Sequence, residues 1–407
     1  MSERVVVPRN RGFLFFDSHP AGCARLVEDM WRDTPPPARD TSGKADAGAE
    51  RPVALVIGSS AGYGLAATVA GLAHVGVRGI GVSFEKAPDR RTGTAGWYRT
   101  AATAALAARH GHDFVFLNGD AFGDDMKDTV ARLVTDRFGG KVDYLVYSVA
   151  APRRTDPDTG EKYASVLKPV GAAHRTKTLV FDGDGRPEVT SVETAPAEGD
   201  DIRQTIGVMG GADWRRWVER LAERGLLAEG FTTAALSYIG SPLTAALYRR
   251  GTIGAAKADL ERTARDLAGY LKAYGGRAVT SVNGAAVTQS STAIPGIALY
   301  LGLLRRELGD GLVPPVVQLT ALWDQLTGAA PLDLDEEGRV RLDTWELAPE
   351  VQAAIGDRWQ GADNGNIAEL ADLDWFRTQV ERLYGFSVPG VDYGAPVETD
   401  VPWPAAT

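Results

Sequence analysis

Cysteine is nearly absent from this chain. Cys23 is the only one, so no internal disulfide can form and a reducing compartment is expected. A small buried residue is its ordinary role, ahead of a catalytic thiol. Histidine is scarce as well. His19, His74, His110, His112 and His174 show no metal-ligand spacing with cysteine or carboxylates, so no metal site is expected. No apolar run reaches the roughly 18 residues of a transmembrane helix. The opening residues, MSERVVVPRNRGFLFF, lack the apolar core of a signal peptide, and a cytoplasmic protein without membrane insertion is expected. Basic charge is in deficit, and the net charge of -9 argues against general nucleic-acid binding. There is no P-loop, no Ser-His-Asp pattern, no internal repeat and no coiled-coil seam.

What is present is a rhythm of apolar strands and helices. Val5–Val7 and Phe13–Phe16 suggest a small N-terminal hairpin, and residues 33–52, rich in Pro, Gly and Ala, read as a surface loop. Val53–Ile57, Gly79–Phe84, Asp113–Leu117 and Tyr144–Ser148 are short β-prone runs. Helical stretches at 63–74, 96–109 and 124–138 separate them. Strands alternating with helices imply parallel βαβ units, and all-apolar strands imply a sheet covered on both faces. Residues 152–202 interrupt the pattern, with an inserted hairpin suggested by Thr178–Phe181 and Val189–Val192. Trp214–Arg224 reads as a helix, Thr232–Tyr238 and Ala278–Val287 as further strands, and the chain from Leu299 onward as mainly helical. The expected fold is α/β, a Rossmann-type doubly wound parallel sheet with inserted hairpins and a helical C-terminal region. It is expected to be one elaborated domain over 1–407. Residues 1–50 are a hairpin and loop, 51–310 a dinucleotide-binding core with the insertion 152–202, and 311–407 the helical region.

Gly58-Ser59-Ser60-Ala61-Gly62-Tyr63-Gly64 follows the first of these strands and opens a helix. Glycines there let the backbone turn and approach a pyrophosphate, and the helix N-terminus favours the anion. A tight βα connection without a ligand is the plain alternative. Phe84-Glu85 ends the second strand. A carboxylate there suits ribose hydroxyls and repels a 2′-phosphate, which predicts NADH over NADPH; a solvated strand-end carboxylate is the alternative, and Lys86 would offset the repulsion. Asp120-Ala121 and Val149-Ala150 follow the third and fourth strands, where such sheets bind ligands. Asp120 could hold the adenine, and Val149-Ala150 could flank the ribose or simply pack.

Tyr248 and Lys257 stand nine positions apart, which puts them on opposite sides of one continuous helix. Gly251 and Gly254 lie between and can break it, so Tyr248 is expected before the helix and Lys257 in its first turns. A phenol can donate a proton where negative charge develops on a carbonyl oxygen, and a nearby ammonium can hold a nicotinamide ribose and lower the phenol pKa. Tyr238, at a strand end, could supply a second donor or line an acyl site, or be a half-buried strand aromatic.

In these residues and their surroundings the chain resembles the FabV-type enoyl-acyl-carrier-protein reductases and the related trans-2-enoyl-CoA reductases. The likeness runs from Arg11-Gly12-Phe13 and His19-Pro20 through Gly58–Gly64, Phe84-Glu85, Gly93–Tyr98, Asn118–Phe122, Ala150–Arg154, Val208–Gly211 with Asp213-Trp214, and the Tyr-x8-Lys pair. It continues at Ala286-Val287-Thr288-Gln289, Ala293-Ile294-Pro295 and Gly390–Tyr393. The resemblance implies a monomeric Rossmann-type enzyme that reduces trans-2-enoyl thioesters, linked to CoA or acyl carrier protein, with NADH. It implies Tyr248 as proton donor, Lys257 as cofactor ligand, Tyr238 in contact with substrate, and Ala286, Val287 and Thr288 against the nicotinamide. Arg249 departs from the family, which commonly has tryptophan there; Arg249 or Arg250 would suit a phosphopantetheine phosphate or an acidic carrier surface, unless both are simply solvated. A short-chain-type carbonyl reductase is a competing reading, although its Tyr and Lys normally stand three residues apart between them. A non-catalytic NAD-binding protein is another.

Overall fold

The computed structural model describes residues 3–36, 51–181 and 186–405. Seven strands form one sheet: β1 (Val53–Ile57), β2 (Arg78–Ser83), β3 (Phe114–Asn118), β4 (Val142–Tyr147), β5 (Leu227–Ser237), β6 (Arg277–Asn283) and β7 (Arg339–Leu342). Their order is β7-β6-β5-β4-β1-β2-β3, with every pair parallel. The order reverses between β1 and β4, and ligands of open parallel sheets bind beyond the strand C-termini at such a switch point.

Alternation along the strands explains why their sequences are apolar throughout. Leu55, Ile57, Val82, Leu145 and Tyr147 point to one face, under Val130 and Val134 of α4 (Asp124–Arg137), Trp214 and Trp217 of α6 (Ala212–Glu223), and Leu260 and Leu267 of α7 (Thr252–Leu271). Ala54, Val56, Val146 and Ala234 point to the other, under α2 (Gly62–Ala70), the end of α3 (Ala95–Arg109) and α9 (Pro315–Thr327). Helix α1 (Pro20–Asp33) also covers this face through Val27. It falls in a stretch to which the sequence pattern assigned no element. Its cap is His19, whose Nδ1 accepts from Gly22 N at 3.1 Å, in place of the usual Ser, Thr, Asp or Asn.

A third core lies past the C-terminal edge of the sheet. Helices α8 (Ile297–Leu308), α10 (Pro349–Gly361), α11 (Ile367–Leu370) and α12 (Leu373–Arg382) enclose it with the inserted hairpin His174–Phe181/Pro187–Thr194. Lys177 Nζ ties that hairpin to the end of α10, donating to the carbonyls of Trp359 at 2.9 Å, Gln360 at 2.7 Å and Ala362 at 3.0 Å. The position is favourable because a helix C-terminus leaves carbonyls unpaired and negative.

Several expected boundaries shift. The N-terminal hairpin is tighter than the apolar runs suggested: Asn10–Arg11 pairs with Leu14–Phe15, while Glu3–Arg4 pairs with Val397–Glu398 near the other end of the chain. Strand β6 stops at Asn283, so 284–287 are loop. Strand β7 lies in the region expected to be mainly helical; it is only four residues long, alternates arginine with Val340 and Leu342, and adds to the sheet edge by pairing with β6. Met209 and Ala212 belong to different helices, α5 (Asp201–Met209) and α6, broken at Gly210-Gly211, whose Gly211 N donates to Asp259 Oδ2 at 2.8 Å. Most of the 33–52 loop and the hairpin tip at 182–185 lie outside the described residues.

Candidate active site

The Gly-rich turn carries the chain from β1 into α2 at the switch point. Among the described residues, no side chain caps the start of α2, which leaves its first amides for an anion. Gly64 is required there because a Cβ would run into the carbonyl of Gly58. Gly64→Ala is therefore expected to push α2 off the turn, to cost about 1–3 kcal/mol of stability and to weaken NADH binding in a fluorescence titration; unchanged affinity would contradict this placement.

The second strand delivers Glu85 beside the same turn. Its carboxylate accepts from Ser60 Oγ and Thr94 Oγ1, each at 2.5 Å, so a negative charge is fixed next to the first loop. Phe84 is 77% exposed, an unusual state for a phenylalanine and one that a flat ring could cover. Asp120 is exposed after β3; one of its oxygens accepts from Phe122 N at 2.9 Å and shapes the turn. Ala121 is half-buried beside it. Val149 and Ala150 follow β4, where Ser148 N donates to Ile57 O at 2.7 Å and keeps the two strand ends together. Of the residues expected at the dinucleotide site, Gly58 to Tyr63, Phe84-Glu85, Asp120-Ala121 and Val149-Ala150 thus lie at the C-terminal ends of β1 to β4.

The loop 120–122 has a support that the sequence pattern did not reveal. Lys127, on α4, is buried, and its Nζ donates to Ala121 O at 2.8 Å, Phe122 O at 3.0 Å and Asp213 Oδ1 at 2.8 Å. Tyr147 donates to the other Asp213 oxygen at 3.0 Å. Burial lowers the Lys127 pKa, against the attraction of Asp213. Lys127→Met would leave Asp213 buried without its counter-charge. The expected loss is about 3–5 kcal/mol of unfolding free energy in urea titration, with a raised KM for NADH as the loop loosens; full stability would refute it.

Beyond β5 the chain reaches Tyr238 and then a run of turns, 242–250, ending at Gly251. The ring of Tyr248 meets that of Tyr238 edge-on, with centroids 5.2 Å apart. Burial pushes the Tyr248 pKa upward, so the phenol stays protonated at neutral pH. Helix α7 begins at Thr252, which places Tyr248 before it and Lys257 in its second turn, as expected. Gly254 lets the helix abut the preceding turn, because a Cβ there would run into the carbonyls of Arg249 and Tyr248. The insertion holds the same joint: Thr252 N donates to Lys168 O at 3.0 Å, and Thr252 Oγ1 donates to Val166 O. Lys257 is 8% exposed, and burial lowers its pKa to about 8, partly opposed by Glu261.

Tyr63 links the two halves of the site. Its hydroxyl donates to Gly284 O, just after β6, and a Cβ on Gly62 would lie 3.5 Å from Thr288. The loop carrying Ala286, Val287 and Thr288 therefore faces the Gly-rich turn. Arg249 does not reach outward for a phosphate. Its guanidinium grips Glu261 at 2.8 and 3.2 Å, and Arg339 approaches the same carboxylate at 3.5 Å. Arg250 is exposed. Glu346, with no signal in its neighbours along the chain, accepts from Tyr238 at 2.9 Å.

The chain matches three family models: the trans-2-enoyl-CoA reductase catalytic region over residues 91–326, the NAD(P)H binding domain of trans-2-enoyl-CoA reductase over 5–90, and the enoyl reductase FAD binding domain over 334–397. A curated relative from Streptomyces avermitilis, an enoyl-[acyl-carrier-protein] reductase [NADH], is 56% identical over 98% of this chain and 99% of its own length. One from Burkholderia mallei, described in the same words, is 43% identical over 98% of each chain. Among solved structures, trans-2-enoyl-CoA reductase from Treponema denticola in complex with NAD is 39% identical with a TM-score of 0.87, covering 97% of this chain and 98% of its own. The residues above fit a dinucleotide. Those of 334–397 do not fit a flavin: α10 opens on Pro349, which has no amide to offer a pyrophosphate, and α12 is capped by the Asp372 carboxylate, which would repel one.

Proposed function

The chain belongs to the trans-2-enoyl-CoA reductase family, and from that premise we propose Tyr248 as its proton donor, Lys257 as the ligand of the nicotinamide ribose and Tyr238 as a substrate contact. It is an NADH-dependent oxidoreductase of trans-2-enoyl thioesters, of the fatty-acid synthesis type. The observation that carries the assignment of roles is the meeting of Tyr238 and Tyr248, ring to ring, past the C-terminal end of β5, with Lys257 on the helix that abuts the same turn.

Bound NADH supplies the hydride that the β-carbon of the thioester accepts. As that bond forms, the conjugated electrons move to the thioester oxygen, which becomes an enolate. The Tyr248 hydroxyl donates to that oxygen, and its high pKa keeps the proton in place until the charge develops. The Lys257 ammonium offers hydrogen bonds to ribose hydroxyls and a positive charge that stabilises the phenolate left on Tyr248. Gly58, Ser59, Ser60, Ala61, Gly62 and Tyr63 are assigned to the pyrophosphate, Phe84, Glu85, Asp120 and Ala121 to the adenosine, and Val149, Ala150, Ala286, Val287 and Thr288 to the nicotinamide half. Glu85, already negative beside Ser60, favours a free ribose over a 2′-phosphate.

We also take the chain as one elaborated domain acting as a monomer in the cytoplasm. The insertion and the C-terminal helices share one core, and the lone thiol, Cys23, is buried with its pKa pushed up to about 12. Among the described residues, no helix is long and apolar enough to cross a membrane. The test follows NADH absorbance with crotonyl-CoA and dodecenoyl-CoA, with NADPH as control. Oxidation of NADH that requires the enoyl thioester supports the reading; NADH binding without turnover on either CoA ester or the corresponding carrier-protein substrate would overturn it.

A further inference from the structure

Glu346 is a buried carboxylate whose partners are two phenols and one amide. Its Oε1 accepts from Tyr238 at 2.9 Å and from Tyr300 at 2.7 Å, and its Oε2 accepts from Ala285 N at 2.6 Å. It is 0% exposed. None of these partners carries a positive charge. The other ionisable groups that face it are Tyr63, from α2, and Asp343, from the end of β7, which adds repulsion. Gln352 Nε2 steadies the cluster, donating to Glu346 O at 2.8 Å and Tyr300 Oη at 3.2 Å, and its Oε1 accepts from Ser241 at 2.6 Å.

Burying a carboxylate without a cation is costly, and an amide or apolar side chain would fill the same space at less cost. What only a carboxylate provides is acceptance at both oxygens. Two phenols that meet at one oxygen must both donate to it. The Tyr238 proton is thereby directed at Glu346, and the remaining lone pairs of Tyr238 are turned elsewhere. The Tyr238 ring meets that of Tyr248. The other carboxylate oxygen holds Ala285, the residue directly before the 286–288 segment.

We propose that Glu346 is a positioning residue for the reduction: its carboxylate fixes the direction of the Tyr238 hydroxyl and anchors the start of the 286–288 segment, so that the proton donor and the nicotinamide loop keep one relative geometry. The inference rests on the assignment of Tyr248 and Tyr238 above. Burial pushes the Glu346 carboxyl up to about 7, against the donors that favour its charged form. The positioning form is the charged one, so kcat should have an acid limb near that pH.

Glu346→Gln is the direct test. The amide keeps the size of the side chain but must turn an N–H toward either the phenols or the Ala285 amide, and one donor loses its acceptor. The expected result is a fall in kcat of about 10–100-fold, the equivalent of one charge-assisted hydrogen bond, with KM for the thioester little changed and the acid limb gone. Combined with Tyr238→Phe, the effect should be far from additive. Tyr300→Phe is the gentler variant. It removes one donor to the charged form, so the carboxyl pKa rises and the acid limb moves to higher pH. A Glu346→Gln enzyme with wild-type kcat and pH profile, additive effects with Tyr238→Phe, or an acid limb unmoved in Tyr300→Phe would each overturn the inference while wild-type turnover leaves the reaction class standing. Absence of wild-type turnover would overturn the reaction reading and this inference with it.

Discussion

Tyr248→Phe is expected to lower kcat for enoyl-thioester reduction by about 100–10,000-fold, the range for loss of a positioned proton donor, while NADH affinity stays near wild type. The substitution removes one oxygen and keeps the ring. The edge-on contact with Tyr238 can therefore persist, and the turns 242–250 have no reason to rearrange. What disappears is the donor at the oxygen where charge develops, an interaction made mainly in the transition state, so the loss belongs in kcat and not in KM. Stopped-flow absorbance under saturating NADH separates the two. A Phe variant that retains wild-type kcat would remove Tyr248 from the reaction.

Lys257→Met should reduce kcat/KM by about 10–100-fold or more, because a hydrogen-bonding charge to the ribose is worth about 1.5–3 kcal/mol and the stabilisation of the phenolate is lost with it. Here the effect should appear in NADH affinity as well as in turnover. The pH dependence has a definite sign. Burial brings the Lys257 pKa down to about 8 in the cofactor-free protein, so the ammonium predominates below that pH and the neutral amine above it. The functional form is the ammonium, and kcat/KM for NADH should decline as pH rises beyond about 8. Lys257→Arg keeps its charge throughout, so whatever activity it retains should lack that alkaline decline. A decline that persists unchanged in the arginine variant would assign it to another group.

The elements that could be read from sequence share one property: their signal is local. Val53–Ile57 followed by the Gly58–Gly64 turn announces a buried parallel strand and a helix start within a dozen residues. The Tyr248–Lys257 spacing with two glycines between them predicted a break before α7, and the helix begins at Thr252. The elements that escaped are those whose cause is distant. Arg339–Leu342 is four residues long with two arginines among them, and it is a strand because β6 offers it an edge. Helix α1 is capped by a histidine. Arg249 read as a surface group facing phosphate because its partner, Glu261, is twelve residues away on the next helix.

By itself the sequence determined the fold class, the Gly-rich turn and the acidic residue at the end of the second strand, because each depends on residue type and spacing over one strand–turn–helix unit, whereas Tyr248 and Lys257 were singled out by the family resemblance and not by their spacing. Tertiary structure alone decided what surrounds them: Lys127 and Asp213 under the 120–122 loop, Thr252 pinned by the insertion, and Glu346 behind Tyr238. These are buried or partly buried polar contacts between residues 84 to 108 positions apart. Their worth comes from removal from water and from the fixed direction of a donor or acceptor. Neither burial nor direction exists until the sheet has brought the segments together.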